Sequence, residues 1–246
     1  MAKKNWKLWG LFWHFLRTHR KDYKYFKETN DIDFIYNAAD EFVVSLLKEY
    51  NINVHVTYDD ESIKDKQVLF VSNHQSMFDP LFLFQYLNHP CGFFIAGSFE
   101  RLLKIKPIKT IVGASQSVYI YRGDIRKTAL QIKKASDVVK NSNYSYMVFP
   151  EGRIKIESVN DQEHFNGKTN EFMAGAFKIA KNNNLLIVPI TIKDSENIHH
   201  TTNYFDMLEA GDIHIRFHKP ITPEEYQDLN TQQIANLARS VIENDL

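Results

Sequence analysis

The chain has 246 residues, of which 43% are hydrophobic and 24% charged, values that are ordinary for a globular protein with a substantial core. Its 30 basic and 30 acidic side chains cancel, so no overall charge would attract nucleic acid. The single cysteine, Cys91, excludes an internal disulfide framework and a metal cluster built from cysteines.

The first predicted element is a short, aromatic helix. It contains every tryptophan of the chain, Trp6, Trp9 and Trp13. An apolar helix over residues 6–16 would be about 16 Å long, too short for a hydrocarbon core of about 30 Å. On it, Lys7, Gly10, His14 and Arg17 form a narrow polar stripe. Aromatic residues with basic neighbours favour a helix lying in the lipid headgroup region, although a helix packed on the protein's own core would show a similar pattern.

A second amphipathic helix is predicted after a polar run. Between Ile35 and Leu47, apolar residues recur at three- and four-residue spacing. We therefore expect residues 1–50 to form an N-terminal two-helix hairpin that docks on a membrane, and residues 51–246 to form an α/β domain.

Strand and helix patterns alternate in the rest of the chain. Apolar or alternating runs predict strands at 54–58, 68–72, 93–96, 118–121, 146–149, 185–192 and 212–218. Helices are predicted at 125–141, at 172–181, and after Thr222, where a capping box precedes Pro223. This order predicts an α/β fold with a mixed, mostly parallel sheet flanked by helices.

The strongest candidate for chemistry follows the predicted strand 68–72. His74 is the type of side chain best suited to accept a proton near neutral pH, and Asp79 could orient it. Five helical residues place two side chains about 140° apart. The pairing therefore requires a turn at 74–78, with the helix starting only near Pro80. Asp79 and Pro80 are also an ordinary helix start, so this segment alone leaves a structural role open.

Two further polar clusters follow predicted strands. Glu151, Gly152 and Arg153 come after 146–149, and Arg122 comes after 118–121. Gly152 permits an unusual backbone conformation or a close approach to a ligand, and arginine offers a planar fork of donors for phosphate. Each cluster alone is also compatible with a surface turn. Together they indicate an anion site beside a candidate base.

These motifs resemble the conserved blocks of the glycerolipid acyltransferases, the family of 1-acyl-sn-glycerol-3-phosphate (lysophosphatidate) acyltransferases. Asn-His-x-x-x-x-Asp at 73–79 resembles the first block, Arg122 lies where the second carries an arginine, Phe-Pro-Glu-Gly at 149–152 resembles the third, and Val-Pro-Ile at 188–190 the fourth. The third block of that family usually reads Glu-Gly-Thr-Arg. Here Arg153 follows Gly152 directly, which leaves open whether Arg153 binds phosphate or Lys155 assists.

The resemblance implies a reaction and its partners. His74, oriented by Asp79, would act as general base for transfer of a fatty acyl group to the sn-2 hydroxyl of a lysophosphatidate-like acceptor, without a covalent intermediate. Arg122, Arg153, Glu151 and Gly152 would form the acceptor site. The donor would be acyl carrier protein, coenzyme A or acyl phosphate. A basic cluster, Arg101, Lys104, Lys106 and Lys109, is a candidate surface for an acidic carrier or anionic lipid, or only a solvated face.

The resemblance also implies a peripheral (monotopic) protein on the cytoplasmic face of the cell membrane. We expect no cofactor, no metal and no nucleic acid. Glycerol 3-phosphate or another lysolipid stays open as the acceptor, because the same base and anion site would serve both. A catalytically silent membrane scaffold of the same fold is the alternative outside enzymes.

Overall fold

Helices precede the sheet in the computed structural model, which describes residues 6–29, 31–88, 90–97, 99, 106–155, 165–203 and 206–246. They are α1 (Trp6–Thr18), α2 (Arg20–Thr29) and α3 (Ile32–Tyr50). The predicted pair corresponds to α1 and α3, which pack together through Phe12 and Phe15 against Phe42. The polar run between them is also helical, as α2, although few apolar residues mark it in the sequence.

The sheet has seven strands in the order β1-β7-β6-β2-β5-β3-β4. They are β1 (Ile52–Tyr58), β2 (Val68–Ser72), β3 (Cys91–Ala96), β4 (Val118–Ile120), β5 (Ser145–Val148), β6 (Leu186–Lys193) and β7 (Gly211–Phe217). The five strands from β6 to β4 are mutually parallel, whereas β7 is antiparallel to β6 and parallel to β1. The mixed, mostly parallel sheet is thereby confirmed.

Strand β2 occupies the middle of this sheet. All five of its residues are buried, because helices cover both faces. By contrast, β7 alternates between buried and exposed residues, as its sequence predicts for a sheet with one wetter face.

The remaining described helices are α4 (Asp79–Phe84), α5 (Lys106–Ala114), α6 (Ile125–Asn141), α7 (Phe177–Asn183), α8 (Ser195–Ile198), α9 (Pro223–Tyr226) and α10 (Thr231–Asp245). Helices α5 and α8 were not predicted, and two of the three helices predicted between residues 125 and 246 differ from the prediction. The helix predicted from residue 172 begins as a 3₁₀ turn at Ala174–Ala176. The helix capped by Thr222 lasts one turn, because Asn230 then caps a second helix.

The helices form two layers. Leu8 of α1 and Leu46 of α3 pack with Phe70 on one face of the sheet. Helices α6, α7 and α10 cover the opposite face, where Leu69 and Val71 point. The aromatic first helix and α6 therefore lie on opposite sides of the molecule.

The direction of β1 sets the position of the first helices. Because β1 runs opposite to β2, its first residue, Ile52, lies at the end of the sheet where the five parallel strands finish; we call this end the carboxyl edge. Helix α3 stops just before it, and Glu49 near its end pairs with Lys7 of α1 at 3.5 Å. The start of α1 is thus on the side of the carboxyl edge.

Within the described parts of the chain, none of the helices combines the length and the apolar character needed to traverse a bilayer.

A buried tyrosine ties the first helices to the sheet. The Tyr36 hydroxyl donates to the carbonyl oxygen of Cys91 at 3.1 Å and accepts from its N–H at 3.0 Å.

Tyr36→Phe should lower the free energy of unfolding by about 1–3 kcal/mol, since two buried backbone groups lose their partner. Urea denaturation checks this. The control is Tyr25→Phe, where the ring is exposed; equal losses in both variants would contradict the assigned role of Tyr36.

Candidate active site

The candidate site lies at the carboxyl edge, where α/β sheets commonly bind their ligands. The segments that follow β2, β5 and β6 meet there. They carry His74, Glu151 and Ser195, respectively. Hydrogen bonds among these segments define the site's geometry.

The turn that the sequence requires between His74 and Asp79 is present. Helix α4 begins at Asp79, so the two side chains can face each other. His74 Nδ1 lies 2.8 Å from Asp79 Oδ2. The same oxygen accepts the backbone N–H groups of Gln75 at 2.7 Å and Ser76 at 2.9 Å. The carboxylate of Asp79 thus organises the turn as well as the imidazole.

This contact fixes the form of the His74 ring. A carboxylate only accepts hydrogen bonds, so Nδ1 carries a proton, and Nε2 is the nitrogen that carries the lone pair in the neutral tautomer. The ring stacks on Phe149 with centroids 4.1 Å apart, and its side chain is 16% exposed. The His74 ring is therefore held by Asp79 at Nδ1 and by Phe149 on its face.

Asn73 holds the start of the turn against β6. Its side-chain amide donates to the carbonyl oxygen of Ile192, and its oxygen accepts the Ile192 N–H, both at 2.8 Å. The side chain thus continues the hydrogen-bond pattern of the sheet one residue beyond the end of β2. This fixes the position of the His74 backbone relative to the carboxyl edge of the sheet.

Glu151 holds the His74 backbone, a different role from the expected contact with the acceptor. Its Oε1 accepts the His74 N–H, and its Oε2 accepts two N–H groups of Asn170, all at 2.8 Å. Burial raises the pKa of the Glu151 carboxyl, and these donors oppose the rise. With both oxygens used internally, the carboxylate acts as a clamp between two loops.

Gly152 and Arg122 come together as the sequence predicts for an anion site. Gly152 has a φ of +68°, which favours glycine, and a Cβ there would lie 2.3 Å from the Met173 methyl carbon. The same Cβ would lie 4.0 Å from Arg122 Nη2. A guanidinium from the β4–α6 connection therefore reaches the turn after β5. Arg122 is exposed to solvent.

The next two basic residues differ in their surroundings. Arg153 is half-buried beside Gly152. The Lys155 N–H donates to the carbonyl oxygen of His74 at 2.9 Å, and its ammonium pairs with Glu196 at 2.7 Å. Lys155 therefore has an internal partner. Of the basic cluster predicted on the 101–109 segment, Arg101 and Lys104 lie outside the described residues, and Lys109 is exposed on α5.

Sequence reasoning missed three contributors. Ser195 donates its hydroxyl to Asp79 Oδ1 at 2.6 Å. Asn170 completes the clamp on Glu151, and Phe149 supports the imidazole. Ser195 follows a predicted strand, but only the fold shows that this strand, β6, ends beside β2. Asn170 is 19 residues from Glu151 and carries no local signal.

The family of this chain is established by a family model. The model described as Acyltransferase matches residues 53–193, more than half of the sequence and the part that carries His74, Asp79, Arg122 and Glu151. The chain belongs to the acyltransferase family.

The sequence identity to individual relatives is low. Probable 1-acyl-sn-glycerol-3-phosphate acyltransferases of Mycoplasma pneumoniae and Mycoplasma genitalium are 26% and 27% identical to it over 72% and 76% of its length. The matches span 65% and 68% of those two proteins. The crystal structure of the 1-acyl-sn-glycerophosphate (LPA) acyltransferase from Thermotoga maritima superposes with a TM-score of 0.75 at 17% identity, over 98% of this chain and 94% of that one. The likeness to this structure establishes a shared fold.

The clamp can be tested by removing its acceptor. Glu151→Ala leaves three buried N–H groups without a partner and should lower the free energy of unfolding by about 2–4 kcal/mol. Denaturation with urea measures the loss. Glu171→Ala, at an exposed carboxylate next to Asn170, is the control and should stay within about 0.5 kcal/mol of wild type. A Glu151→Ala protein as stable as this control would show that Glu151 does not clamp the two loops.

Proposed function

We propose that the protein transfers a fatty acyl group from an activated donor to the sn-2 hydroxyl of a 1-acyl-glycerol 3-phosphate, giving phosphatidic acid. The observation that carries this proposal is the His74–Asp79 pair, since it leaves a basic imidazole nitrogen at the carboxyl edge. Membership of the acyltransferase family supports it, as does the activity given in the names of the two Mycoplasma relatives. The donor in this proposal is a thioester of acyl carrier protein or coenzyme A, or an acyl phosphate.

His74 acts as the base in this mechanism. Its Nε2 accepts the proton of the acceptor hydroxyl while the oxygen attacks the donor's carbonyl carbon. Asp79 stabilises the imidazolium that forms, as the acid of a catalytic triad does. When the tetrahedral intermediate collapses, the leaving group departs and takes the proton back from His74.

The positions of Cys91 and Ser195 support direct acyl transfer from donor to acceptor, without a covalent acyl-enzyme intermediate. The sole cysteine, Cys91, is fully buried in β3, and burial raises the pKa of its thiol, which disfavours the reactive thiolate. The Ser195 hydroxyl donates to Asp79 rather than to His74. Neither residue is therefore arranged as an acyl carrier beside the base.

Arg122 and Arg153 are proposed to bind the acceptor's phosphate at Gly152. Arginine matches phosphate with two parallel hydrogen bonds, and Gly152 allows the ligand to approach the backbone. Holding the phosphate makes the attack effectively intramolecular, which lowers its barrier.

The N-terminal helices are proposed to hold the protein on the cytoplasmic face of the cell membrane. Trp6 and Trp13 are 74% and 63% exposed, and seven helical residues place them on one side of α1. Exposed Lys7, His14 and Arg17 lie on this helix as well. Tryptophan next to basic residues suits the headgroup region of an anionic bilayer.

Activity is tested with purified protein on liposomes. Lysophosphatidate and glycerol 3-phosphate are offered in parallel with acyl carrier protein, coenzyme A and acyl-phosphate donors. Diacyl product should form from lysophosphatidate, and His74→Ala should reduce its rate by about 10²–10⁴-fold, the range of general base catalysis. The exposed His200→Ala is the matched control and should keep full activity.

The alternatives have distinct outcomes in this experiment. Product only from glycerol 3-phosphate would replace the proposed acceptor. Undiminished transfer by His74→Ala would exclude the proposed base. No product from any pairing, with folded protein on the liposomes, would favour a silent scaffold.

Membrane binding is tested separately with anionic vesicles. The double variant Trp6→Ala/Trp13→Ala should lose at least tenfold in vesicle affinity, because two interfacial aromatic side chains are removed. Its control is Ile125→Ala/Leu130→Ala on α6, where the side chains are 86% and 66% exposed but lie on the opposite layer. Equal losses in the two variants would show that α1 is not the docking surface.

A further inference from the structure

We propose that Ser195 is a positioning residue for the acyl transfer. Its hydroxyl holds the carboxylate of Asp79 in the orientation that presents His74 to the acceptor. This role rests on the proposed function, because it concerns the same base. Ser195 follows β6 and belongs to none of the motifs recognised in the sequence.

The two oxygens of Asp79 are held in different ways. Oδ2 accepts from His74 and from two backbone N–H groups of its own turn. Oδ1 accepts from Ser195, which is 116 residues further along the chain. Both side chains are 0% exposed, so water does not compete for this bond. The contact with Ser195 therefore ties the turn at the end of β2 to the end of β6.

The chain after β6 is shaped to bring this hydroxyl inward. Asp194 has a φ of +69°, a left-handed conformation that is unfavourable for a residue other than glycine. It turns the chain sharply at the end of the strand, and Ser195 then starts the short helix α8. Asp194 is the N-cap residue, but its side chain makes no capping hydrogen bond, and its carboxylate lies 3.1 Å from His214 Nδ1. The strained turn thus orients Ser195 towards Asp79.

The bond with Ser195 has a chemical consequence for His74. The three donors on Oδ2 fix one oxygen, but a carboxylate held at one oxygen can still rotate about that point. The hydroxyl on Oδ1 fixes the plane, and with it the direction in which Oδ2 meets Nδ1. Ser195 touches neither the imidazole nor any atom proposed to react, so its effect passes through Asp79.

The test compares two buried serines. Ser195→Ala removes the donor, whereas Ser72→Ala removes an equally buried hydroxyl that has no hydrogen-bond partner in the described part of the chain. Ser195→Ala should lower kcat about 10- to 100-fold, the range for a lost hydrogen bond to a charged group, with KM for lysophosphatidate within twofold of wild type. Ser72→Ala should keep both constants. Ser195→Thr, which retains the hydroxyl, should recover kcat to within about fivefold of wild type.

A second measurement does not depend on activity. In protein labelled with ¹⁵N-histidine, the Nδ1–H proton of His74 should give a slowly exchanging downfield resonance, identified by its absence in His74→Gln. It should broaden or vanish in Ser195→Ala and persist in Ser72→Ala. Loss of this signal in a Ser195→Ala protein that melts like Ser72→Ala supports positioning rather than general stability.

The outcomes separate the two proposals. If wild-type protein transfers no acyl group but the resonance responds as expected, the proposed function fails and the positioning by Ser195 stands. If Ser195→Ala keeps the resonance and, where the wild type is active, also keeps the wild-type kcat, the positioning role is overturned. A fall in kcat shared equally by Ser72→Ala would overturn it too.

Discussion

Asp79 is a fully buried carboxylate, and the structure around it follows from the need to give its charge hydrogen-bond donors. Four donors converge on it: an imidazole, two backbone N–H groups and a hydroxyl. Three of them come from the turn itself, which explains why the chain leaves β2 as a turn and delays α4. The fourth comes from the end of β6, so the charge joins two neighbouring strand ends.

Two buried carboxylates, those of Asp79 and Glu151, hold different parts of His74. Asp79 fixes its ring, whereas Glu151 fixes its backbone N–H and Lys155 its carbonyl oxygen. The histidine is thus held at side chain and main chain by groups from two different loops. Preorganisation of this kind would reduce the reorganisation that the proposed proton transfer needs, because the ring is already held in one orientation.

The sequence predicted these features unevenly, for physical reasons. Strand β2 was predicted with its observed ends, because a strand buried on both faces is a continuous apolar run. Helix α2 is polar on average and has few apolar residues, so its sequence resembles a polar connection. In the site, His74 and Asp79 are five positions apart and could be paired by reasoning about a turn. Ser195 and Asn170 meet their carboxylates only through the tertiary fold, which local patterns do not encode.

The reversed direction of β1 has a consequence for how a lipid would reach the base. Since β1 begins at the carboxyl edge, the start of α1, with Trp6 exposed, faces the same side as His74. A bilayer touching that end of α1 would present its headgroups beside the imidazole. A lysolipid could then expose its glycerol to His74 while its acyl chain stayed among its neighbours, and the energetic cost of extracting a whole lipid into water would be avoided.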